Sequence, residues 1–249
     1  MTTETIFLVD AVFNAAKMIN DDFCVASKDN KGDLVTSLDF EIERFIIDRI
    51  NDKYPTFDII SEEFNPQNKL TDNCFIIDPL DGTINFAHGV PLWGIQVACV
   101  KQGYTIASVI YLPKLGELYF ANSHGAFVID NPTNPVEEIM NAKPISVNQT
   151  PHNKAIYLVE GGYKFDALAR LDKSTSRHFR YICSTAVNSA WTARGRFGGT
   201  ILRKDSLWDY MPGQYLVKQA GGMIINKKGA HICANSRELA RVLLRDGKE

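Results

Sequence analysis

Two carboxylates three residues apart, Asp78 and Asp81, end an apolar run and are followed by Gly82 and Thr83. Hard divalent cations prefer clustered oxygen ligands, and Mg²⁺ is commonly held by carboxylates together with a substrate phosphate. A Gly-Thr turn that opens a short helix offers unpaired backbone N–H groups to that phosphate. The segment therefore predicts a metal site beside a phosphate site. The alternative is an acidic turn after a strand, because Asp and Gly are common in turns.

Two further acidic positions extend this hypothesis. Glu62, beside Glu63, follows a strand-like segment, and Asp209 lies at the start of a helical one. Two Mg²⁺ ions about 3.5–4 Å apart can hold a phosphoryl group. A shared carboxylate suits Asp78, with Glu62 on one side and Asp81 and Asp209 on the other. Taken singly, Glu62 and Glu63 fit a solvated surface pair and Asp209 fits a helix N-cap, so the hypothesis depends on the whole pattern.

The composition narrows the function classes. The chain has 249 residues, 45% of them hydrophobic, and a formal net charge of −2, which is unlike the basic footprint of a nucleic-acid binder. No apolar run approaches the roughly 20 residues of a membrane span, and residues 1–5 lack the pattern of a secretory signal. Five scattered cysteines without a Cys-x-x-Cys pair favour the cytoplasm. The histidines have no metal-ligand spacing, so a zinc site is not expected.

The first half of the chain predicts helices followed by an antiparallel meander. Apolar spacing indicates helices over 4–23 and 38–53, with a mobile polar loop over 27–36 between them. Short strands at 57–60 and 74–78 deliver Glu62 and Asp78. The predicted meander strands are 95–100, 105–111, 117–121 and 126–129. Residues 130–143 are predicted to be a connection.

The second half predicts alternating strands and helices. The strands are expected at 155–159, 178–182, 199–203 and 223–226, and the helices at 164–172, 184–194, 209–220 and 236–245. The expected architecture is a layered mixture of helices and mixed sheets. We divide it into an N-terminal α+β half, 1–140, with the main metal and phosphate motifs, and a C-terminal α/β half, 141–249, that completes the site.

Four elements, in order along the chain, resemble the inositol monophosphatase family. The segment Asp78-Pro79-Leu80-Asp81-Gly82-Thr83, with Asn85-Phe86 after it, is similar to the family signature. Ser61-Glu62-Glu63 resembles its upstream Glu-Glu element, and Trp208-Asp209 its downstream Trp-Asp element. The N-terminal element is matched by Asp33-Leu34-Val35-Thr36-Ser37-Leu38-Asp39.

The resemblance implies a fold, an activity and an assembly. The fold is a five-layered αβαβα sandwich, which fructose-1,6-bisphosphatase-like proteins share. The activity is hydrolysis of a small sugar or inositol phosphate by a water activated by two or three Mg²⁺ ions, with inhibition by Li⁺. The assembly is a homodimer. The molecule that the protein binds is a small phosphorylated metabolite.

The resemblance also assigns roles to individual residues. Glu62, Asp78 and the carbonyl of Leu80 would bind the first metal; Asp78, Asp81 and Asp209 the second; Glu62 also a weaker third. Gly82 and Thr83 would present backbone N–H groups to the phosphate. Thr83 and Glu62 would activate the water, with Asp39 accepting the Thr83 hydroxyl proton. Lys28 aligns with a basic residue near the site in relatives, although a solvated surface lysine fits its position equally.

The second half departs from the family pattern where substrates are chosen. Ser184, Thr185 and Ala186 occupy a substrate-binding segment in which relatives usually carry Gly-x-Ala, so Ser184 replaces the glycine. Inositol-specific members carry a Glu seven residues before Asp209, where this chain has Leu202.

Basic residues surround this departure. Arg203 and Lys204 follow Leu202, and Arg194 and Arg196 lie nearby in sequence. Basic residues beside a phosphate site favour a second anionic group on the substrate; the alternative is a solvated basic loop.

Several substrates and one other function class stay open at this point. Inositol 1-phosphate is possible but not favoured, and fructose 1,6-bisphosphate, NADP, another sugar phosphate or a 3′-phosphoadenosine 5′-phosphate-like nucleotide are alternatives. The last is weaker, since no adenine-binding element is visible. A regulatory binding module with vestigial activity is the alternative from another class, and the complete carboxylate set argues against it.

Overall fold

Two mixed β-sheets with helices between and around them organise the chain in the computed structural model, which describes residues 1–28, 33–160, 178–203, 206–227 and 229–246. The helices, numbered within those ranges, are α1 (Thr3–Ala16), α2 (Ser37–Lys53), α3 (Thr83–Ala87), α4 (Pro135–Glu138), α5 (Thr185–Ala193), α6 (Leu207–Gln219) and α7 (Arg237–Asp246). Short 3₁₀ turns cover Pro113–Leu115 and Ile139–Asn141. None of the helices in the described ranges is long and apolar enough to cross a bilayer.

The first sheet has seven strands in the order β3-β4-β5-β6-β7-β8-β9, and only the β3–β4 pair is parallel. A separate hairpin consists of β1 (Val25–Ser27) and β2 (Leu34–Thr36). The strands of the sheet are β3 (Asp58–Ser61), β4 (Cys74–Asp81), β5 (Gly94–Lys101), β6 (Tyr104–Leu112), β7 (Glu117–Asn122), β8 (Gly125–Asp130) and β9 (Lys143–Pro144).

The second sheet has five strands in the order β11-β10-β12-β14-β13. Strand β10 pairs in parallel with β11 and β12, whereas β14 is antiparallel to both β12 and β13. The strands are β10 (Tyr157–Glu160), β11 (Phe179–Arg180), β12 (Gly199–Leu202), β13 (Met223–Lys227) and β14 (Ala230–Ala234).

The helices form three layers around these sheets. Helices α1 and α2 cover one face of the first sheet through an apolar core that includes Leu38 and Phe75. Helices α5 and α6 lie between the sheets and share a core that includes Ile110 and Leu216. Helix α7 covers the outer face of the second sheet with Leu239 and other residues. The order α-β-α-β-α confirms the predicted five-layered sandwich.

The first predicted helix is longer than the observed one. The first helix ends at Ala16 rather than at residue 23, although Ile19 and Phe23 still pack on the core. Their apolar spacing therefore reflects core packing and not continued helix. The chain turns at Asn20, whose side chain accepts a hydrogen bond from the backbone N–H of Asp22 at 2.8 Å, as polar turn residues do.

Strand β14 was not predicted. It lies between β12 and β13 and its five residues are buried, but a sequence of two alanines, a histidine, an isoleucine and a cysteine has little strand alternation. The connection predicted at 130–143 contains α4, the 3₁₀ turn Ile139–Asn141 and Lys143, the first residue of β9, which pairs with β8. The loop predicted at 27–36 contains Ser27, the last residue of β1, and the whole of β2. The helix predicted at 164–172 lies outside the described residues.

The meander and the long second helix are confirmed, with bounds that differ by at most one residue. The division into halves at residue 140 stays a prediction, and β9 of the first sheet lies wholly after that position. In the described part of the chain, no two cysteines are joined by a disulfide.

The two central helices approach each other closely at one position. A Cβ on Gly213 of α6 would overlap the side chain of Ser189 on α5. We expect Gly213→Ala to lower the free energy of unfolding by about 1–3 kcal/mol, the usual cost of overpacking a core. Thermal or urea unfolding measures this loss.

The matched control is the pair of variants Ser189→Gly and Gly213→Ala/Ser189→Gly. Removing the Ser189 side chain makes room for the new methyl group, so the double variant should be more stable than Gly213→Ala alone. Simple addition of the two single losses would contradict the close approach.

Candidate active site

An irregularity at the end of β4 brings Asp78 and Asp81 to the same side of the first sheet. Asp78 pairs with Gln96 and Asp81 with Gly94, so β4 has one residue more than β5 across this interval. Pro79 lies at this point and has no N–H for the ladder. Residues three apart in a regular strand face opposite sides, and the extra residue of a bulge cancels that alternation.

The bulge and helix α6 together produce a cluster of three buried carboxylates. Asp78, Asp81 and Asp209 each offer an oxygen, and these oxygens lie within 4.8 Å of one another. Asp209 lies in the first turn of α6, which begins two residues earlier than predicted, so Asp209 is inside the helix and is not its N-cap. A carboxylate in a first turn is favoured by the helix dipole.

Asp78 is the electrostatic centre of this cluster. Burial first, and then the charges of Glu62, Asp81 and Asp209, raise the pKa of Asp78 well above its usual range. Its Oδ2 accepts a hydrogen bond from Gln96 at 3.2 Å, whereas its buried Oδ1 has no hydrogen-bond partner in the described structure. A buried carboxylate oxygen without a donor, beside two other carboxylates, fits a bound cation.

Asp81 is held by the start of α5. Its Oδ1 accepts from the backbone N–H of Thr185 at 3.0 Å and from the Thr185 hydroxyl at 2.7 Å. Its Oδ2 accepts from the backbone N–H of Ala186 at 2.9 Å and from the Ser184 hydroxyl. The three residues predicted to bind substrate thus direct these donors at a carboxylate of the cluster. Their role toward a substrate stays a prediction.

The left-handed residue of this segment is Cys183 and not Ser184. Cys183 has φ +61°, a conformation that favours glycine, whereas Ser184 is extended at φ −153°. The backbone conformation of Ser184 therefore accepts any residue, and the effect of this replacement on substrate binding stays a prediction. Asn85 of α3 fixes this segment by donating to the carbonyl of Ile182 at 2.7 Å.

Gly82 and Thr83 open α3 beside the cluster. Gly82 adopts φ +88°, and a Cβ there would crowd the carbonyls of Leu92 and Cys183, so a glycine is required. The Thr83 hydroxyl lies 3.0 Å from the carbonyl oxygen of Leu80 and 3.3 Å from Oδ1 of Asp39, and can donate to either.

Asp39 is a buried carboxylate at the start of α2. Its Oδ2 accepts from the backbone N–H of Thr36 at 2.7 Å and from the Thr36 hydroxyl at 2.5 Å, as in a capping box. Burial raises the pKa of Asp39 to about 6, against these hydrogen bonds, which lower it. The structure thus brings Asp39 and Thr83 together, as the sequence predicted.

Glu62 is set apart from the three aspartates by an ion pair. Lys28 Nζ lies 2.8 Å from Glu62 Oε1 and also bonds to Glu63. Burial lowers the pKa of Lys28, but the charge of Glu62 and hydrogen bonds to both glutamates outweigh it, so the pKa lies above its usual value. Burial also raises the pKa of Glu63 to about 7. The predicted position of Lys28 near the site agrees with this contact.

Two buried polar residues beside the site were not predicted. Gln96 of β5 donates to Asp78 and, at 3.0 Å, to the Thr185 hydroxyl, which links two sides of the cluster. Glu43 of α2 accepts from the backbone N–H groups of Glu63 and Phe64 at 2.9 and 2.7 Å. The signal for Glu43 was available, since it follows Ile42 on the apolar face of a predicted helix.

Two basic residues of the second half, Arg203 and Lys204, directly follow Leu202 in the chain. Leu202 is buried and lines a small cavity of about 10 Å³ together with Asp209, Tyr210 and His231. Arg203 follows it and is half-buried, whereas Lys204 lies outside the described residues.

Arg194 and Arg196 do not add charge to the site. Arg194 pairs with Asp130 at 2.7 Å and with Glu117 at 3.1 Å, and Arg196 pairs with Glu117 at 2.5 Å. The prediction that they supply positive charge to a second anion is therefore wrong, because carboxylates of β7 and β8 already neutralise both guanidinium groups.

Comparisons with known proteins agree with this geometry. A model of the inositol monophosphatase family matches residues 1–246. The fructose-1,6-bisphosphatase/inositol-1-monophosphatase of Thermotoga maritima is 34% identical over 216 residues, which cover 86% of this chain and 79% of that protein. An inositol-1-monophosphatase of Rhizobium meliloti is 32% identical over 234 residues, covering 89% and 85%. The solved structure of the extragenic suppressor protein suhB from Bartonella henselae superposes with a TM-score of 0.83 at 23% identity and covers 99% of each chain. This likeness shows a shared fold.

The buried carboxylates predict how the stability of the metal-free protein depends on pH. The folded-state pKa values of Asp39 and Glu63 are raised to about 6 and about 7, so the folded protein binds these protons more tightly than the unfolded chain does. Their stabilisation is complete below the unfolded-state values near pH 4 and is lost as the pH rises through about 6 and about 7. We expect the Tm in EDTA to rise as the pH falls from about 8 to about 5.5.

Asp39→Asn isolates the contribution of one carboxyl. The amide can still accept from Thr36, so the helix cap is kept while the buried charge is removed. The variant should have a higher Tm than the wild type at about pH 8 in EDTA, and a weaker dependence of Tm on pH. An unchanged pH dependence would contradict the raised pKa of Asp39.

Proposed function

Because the chain belongs to the inositol monophosphatase family, it is a phosphoric monoester hydrolase, and we propose that it hydrolyses a small sugar or inositol phosphate with bound Mg²⁺. The observation that carries the proposal is the buried cluster of Asp78, Asp81 and Asp209 beside the Gly82-Thr83 turn. Clustered carboxylates next to the backbone N–H groups of a helix start suit a cation and a phosphate together.

The metal-binding residues in this proposal are Glu62, Asp78, Asp81, Asp209 and the carbonyl of Leu80. The unpartnered Oδ1 of buried Asp78 supports a cation at this position. When bound, Mg²⁺ supplies positive charge to phosphoryl oxygens and lowers the pKa of a coordinated water. Two or three ions per site are proposed, with Glu62 leaving its ion pair with Lys28 to serve as a ligand.

The other residues bind the phosphate, orient the attacking water and accept the Thr83 hydroxyl proton. The backbone N–H groups of Gly82 and Thr83 hold the phosphate oxygens in this proposal, and Lys28 supplies nearby positive charge. The Thr83 hydroxyl orients the attacking water together with Glu62. Asp39, whose pKa is raised to about 6, is ionised at neutral pH and accepts the Thr83 hydroxyl proton across the 3.3 Å contact.

Phosphate release from a panel of compounds tests this function. The panel holds inositol 1-phosphate, fructose 1,6-bisphosphate, 3′-phosphoadenosine 5′-phosphate, NADP and histidinol phosphate, each with Mg²⁺, Mn²⁺ or EDTA. We expect metal-dependent turnover that Asp78→Asn lowers by at least about 100-fold in kcat/KM, because loss of a metal ligand removes several kcal/mol of charge stabilisation. Turnover that persists in EDTA, or in a folded Asp78→Asn variant, would contradict the proposal.

A bisphosphate is the second candidate substrate class. Two observations favour it: Leu202, an apolar residue, lines the cavity beside Asp209, and Arg203 follows it directly. The Thermotoga maritima relative is named for both fructose-1,6-bisphosphatase and inositol-1-monophosphatase activities. In this proposal Arg203 and Lys204 bind the second anionic group of fructose 1,6-bisphosphate, NADP or a 3′-phosphoadenosine 5′-phosphate-like compound.

The double variant Arg203→Ala/Lys204→Ala tests the second anion. It should lower kcat/KM for fructose 1,6-bisphosphate by at least about tenfold, since a charge-assisted hydrogen bond contributes about 1.5–3 kcal/mol. Turnover of inositol 1-phosphate, which lacks a second phosphate, is the internal control. Equal effects on both compounds would contradict recognition of a second anion.

A homodimeric assembly, inhibition by Li⁺ and a cytoplasmic location complete the proposal, each on the ground of family resemblance. A mainly regulatory role remains the alternative from another class. It would be favoured by an Asp78→Asn protein that lost turnover yet kept its full biological effect.

A further inference from the structure

The chain around Glu62 is held by a single buried carboxylate, that of Glu43. Glu43 lies on α2 and is fully buried. Its Oε2 accepts from the backbone N–H of Glu63 and its Oε1 from that of Phe64, at 2.9 and 2.7 Å. Burial raises the pKa of Glu43, and the nearby Ser61 side chain lowers it in part. The two residues that follow Glu62 thus donate their backbone N–H groups to one side chain.

This arrangement fixes the direction of the Glu62 side chain. Glu62 follows β3, where the regular hydrogen bonds of the sheet end, so its backbone depends on other partners. The backbone donors of the two residues after Glu62 converge on Glu43, which restricts the backbone and therefore the Cα–Cβ bond of Glu62. The Glu62 side chain is 24% exposed and is otherwise held by the long side chain of Lys28.

We propose that Glu43 is a positioning residue for Glu62: it acts through the main chain of residues 61–64 to hold the Glu62 carboxylate where a metal ion requires it. This inference rests on the metal-binding role proposed for Glu62. Glu43 is not itself placed as a ligand, because its two oxygens are occupied by backbone donors. Residues that orient a metal ligand commonly change metal affinity by about 10- to 100-fold when altered.

The turn remains attached to α2 when the carboxylate is changed. The Phe64 ring packs edge-on against Phe40, with ring centroids 5.8 Å apart, and lies 4.7 Å from the Arg44 guanidinium. Both partners are on α2 beside Glu43. Variants of Glu43 are therefore expected to fold, with a looser 61–64 segment.

Two variants separate positioning from charge. Glu43→Gln keeps the size of the side chain, but its amide nitrogen cannot accept from a backbone N–H, so one of the two bonds is lost. Glu43→Asp keeps the charge but is one methylene shorter, so the carboxylate no longer reaches both N–H groups. Positioning predicts that both variants weaken metal binding, whereas a purely electrostatic effect predicts weakening only for Glu43→Gln.

Glu117→Gln is the matched control. Glu117 is also a buried carboxylate with several donors, among them Arg194, Arg196 and Trp191. It lies on β7, away from the carboxylate cluster, so its loss tests what general destabilisation does to metal binding. Its variant should lower the Tm and leave the metal affinity unchanged.

Mn²⁺ binding to the folded proteins, measured by calorimetry or by the EPR signal of free Mn²⁺, is the first readout. We expect Glu43→Gln and Glu43→Asp to weaken binding by about 10- to 100-fold and Glu117→Gln to bind like the wild type. Hydrogen exchange of residues 61–65 in the metal-free protein is the second readout, and it should be faster in both Glu43 variants only. Turnover should need more Mg²⁺ in these variants and recover when Mg²⁺ saturates.

Three outcomes would overturn the inference, and they are distinguishable. Wild-type affinity in Glu43→Asp with weak binding in Glu43→Gln would show that only the charge matters. Lower Tm values with wild-type Mn²⁺ affinity in both variants would show that Glu43 stabilises the fold alone. A wild-type protein that binds no Mn²⁺, or an Asp78→Asn variant that binds it normally, would overturn the proposed metal site itself and this inference with it.

Discussion

Mutual repulsion among buried carboxylates is the constraint on which the rest of the site depends. Asp78, Asp81 and Asp209 have oxygens within 4.8 Å of one another in a buried position, and like charges so close disfavour ionisation. Each carboxylate has a different compensating environment. Asp81 receives the hydrogen-bond donors that open α5, Asp209 lies in the first turn of α6, and Asp78 accepts from Gln96.

The carboxylate cluster depends on two layers of the fold. The first sheet supplies Asp78 and Asp81 at the end of β4, while the central helix layer supplies Asp209 and the N-terminus of α5. Neither layer contains the cluster by itself. The close packing of α5 on α6 at Gly213 therefore bears on the site, since it sets the spacing between the two helix starts that face β4.

A second group of charges lies on the opposite side of the site, toward α2. Lys28 pairs with Glu62 and Glu63, Glu43 accepts from the turn that carries them, and Asp39 lies within reach of Thr83. These groups differ from the aspartate cluster because a lysine offsets part of their charge. Binding a cation at Glu62 would compete with Lys28, whereas binding at Asp78 would satisfy an oxygen that has no hydrogen-bond partner.

The amino-acid sequence by itself determined the family and the layered fold, and it named the residues of the candidate site. Local signals were sufficient, because the Asp-Pro-Leu-Asp-Gly-Thr segment, the Glu-Glu and Trp-Asp elements and the strand alternation of the meander are all short-range patterns. Tertiary structure decided what those patterns could not. Only the β4 bulge places Asp78 and Asp81 on one side of the sheet. Only long-range packing brings the Ser184 and Thr185 hydroxyls to Asp81. Long-range packing likewise pairs Arg194 and Arg196 with Glu117. The physical reason is that a charge acts on the groups that surround it in space, and a sequence gives its neighbours only along the chain.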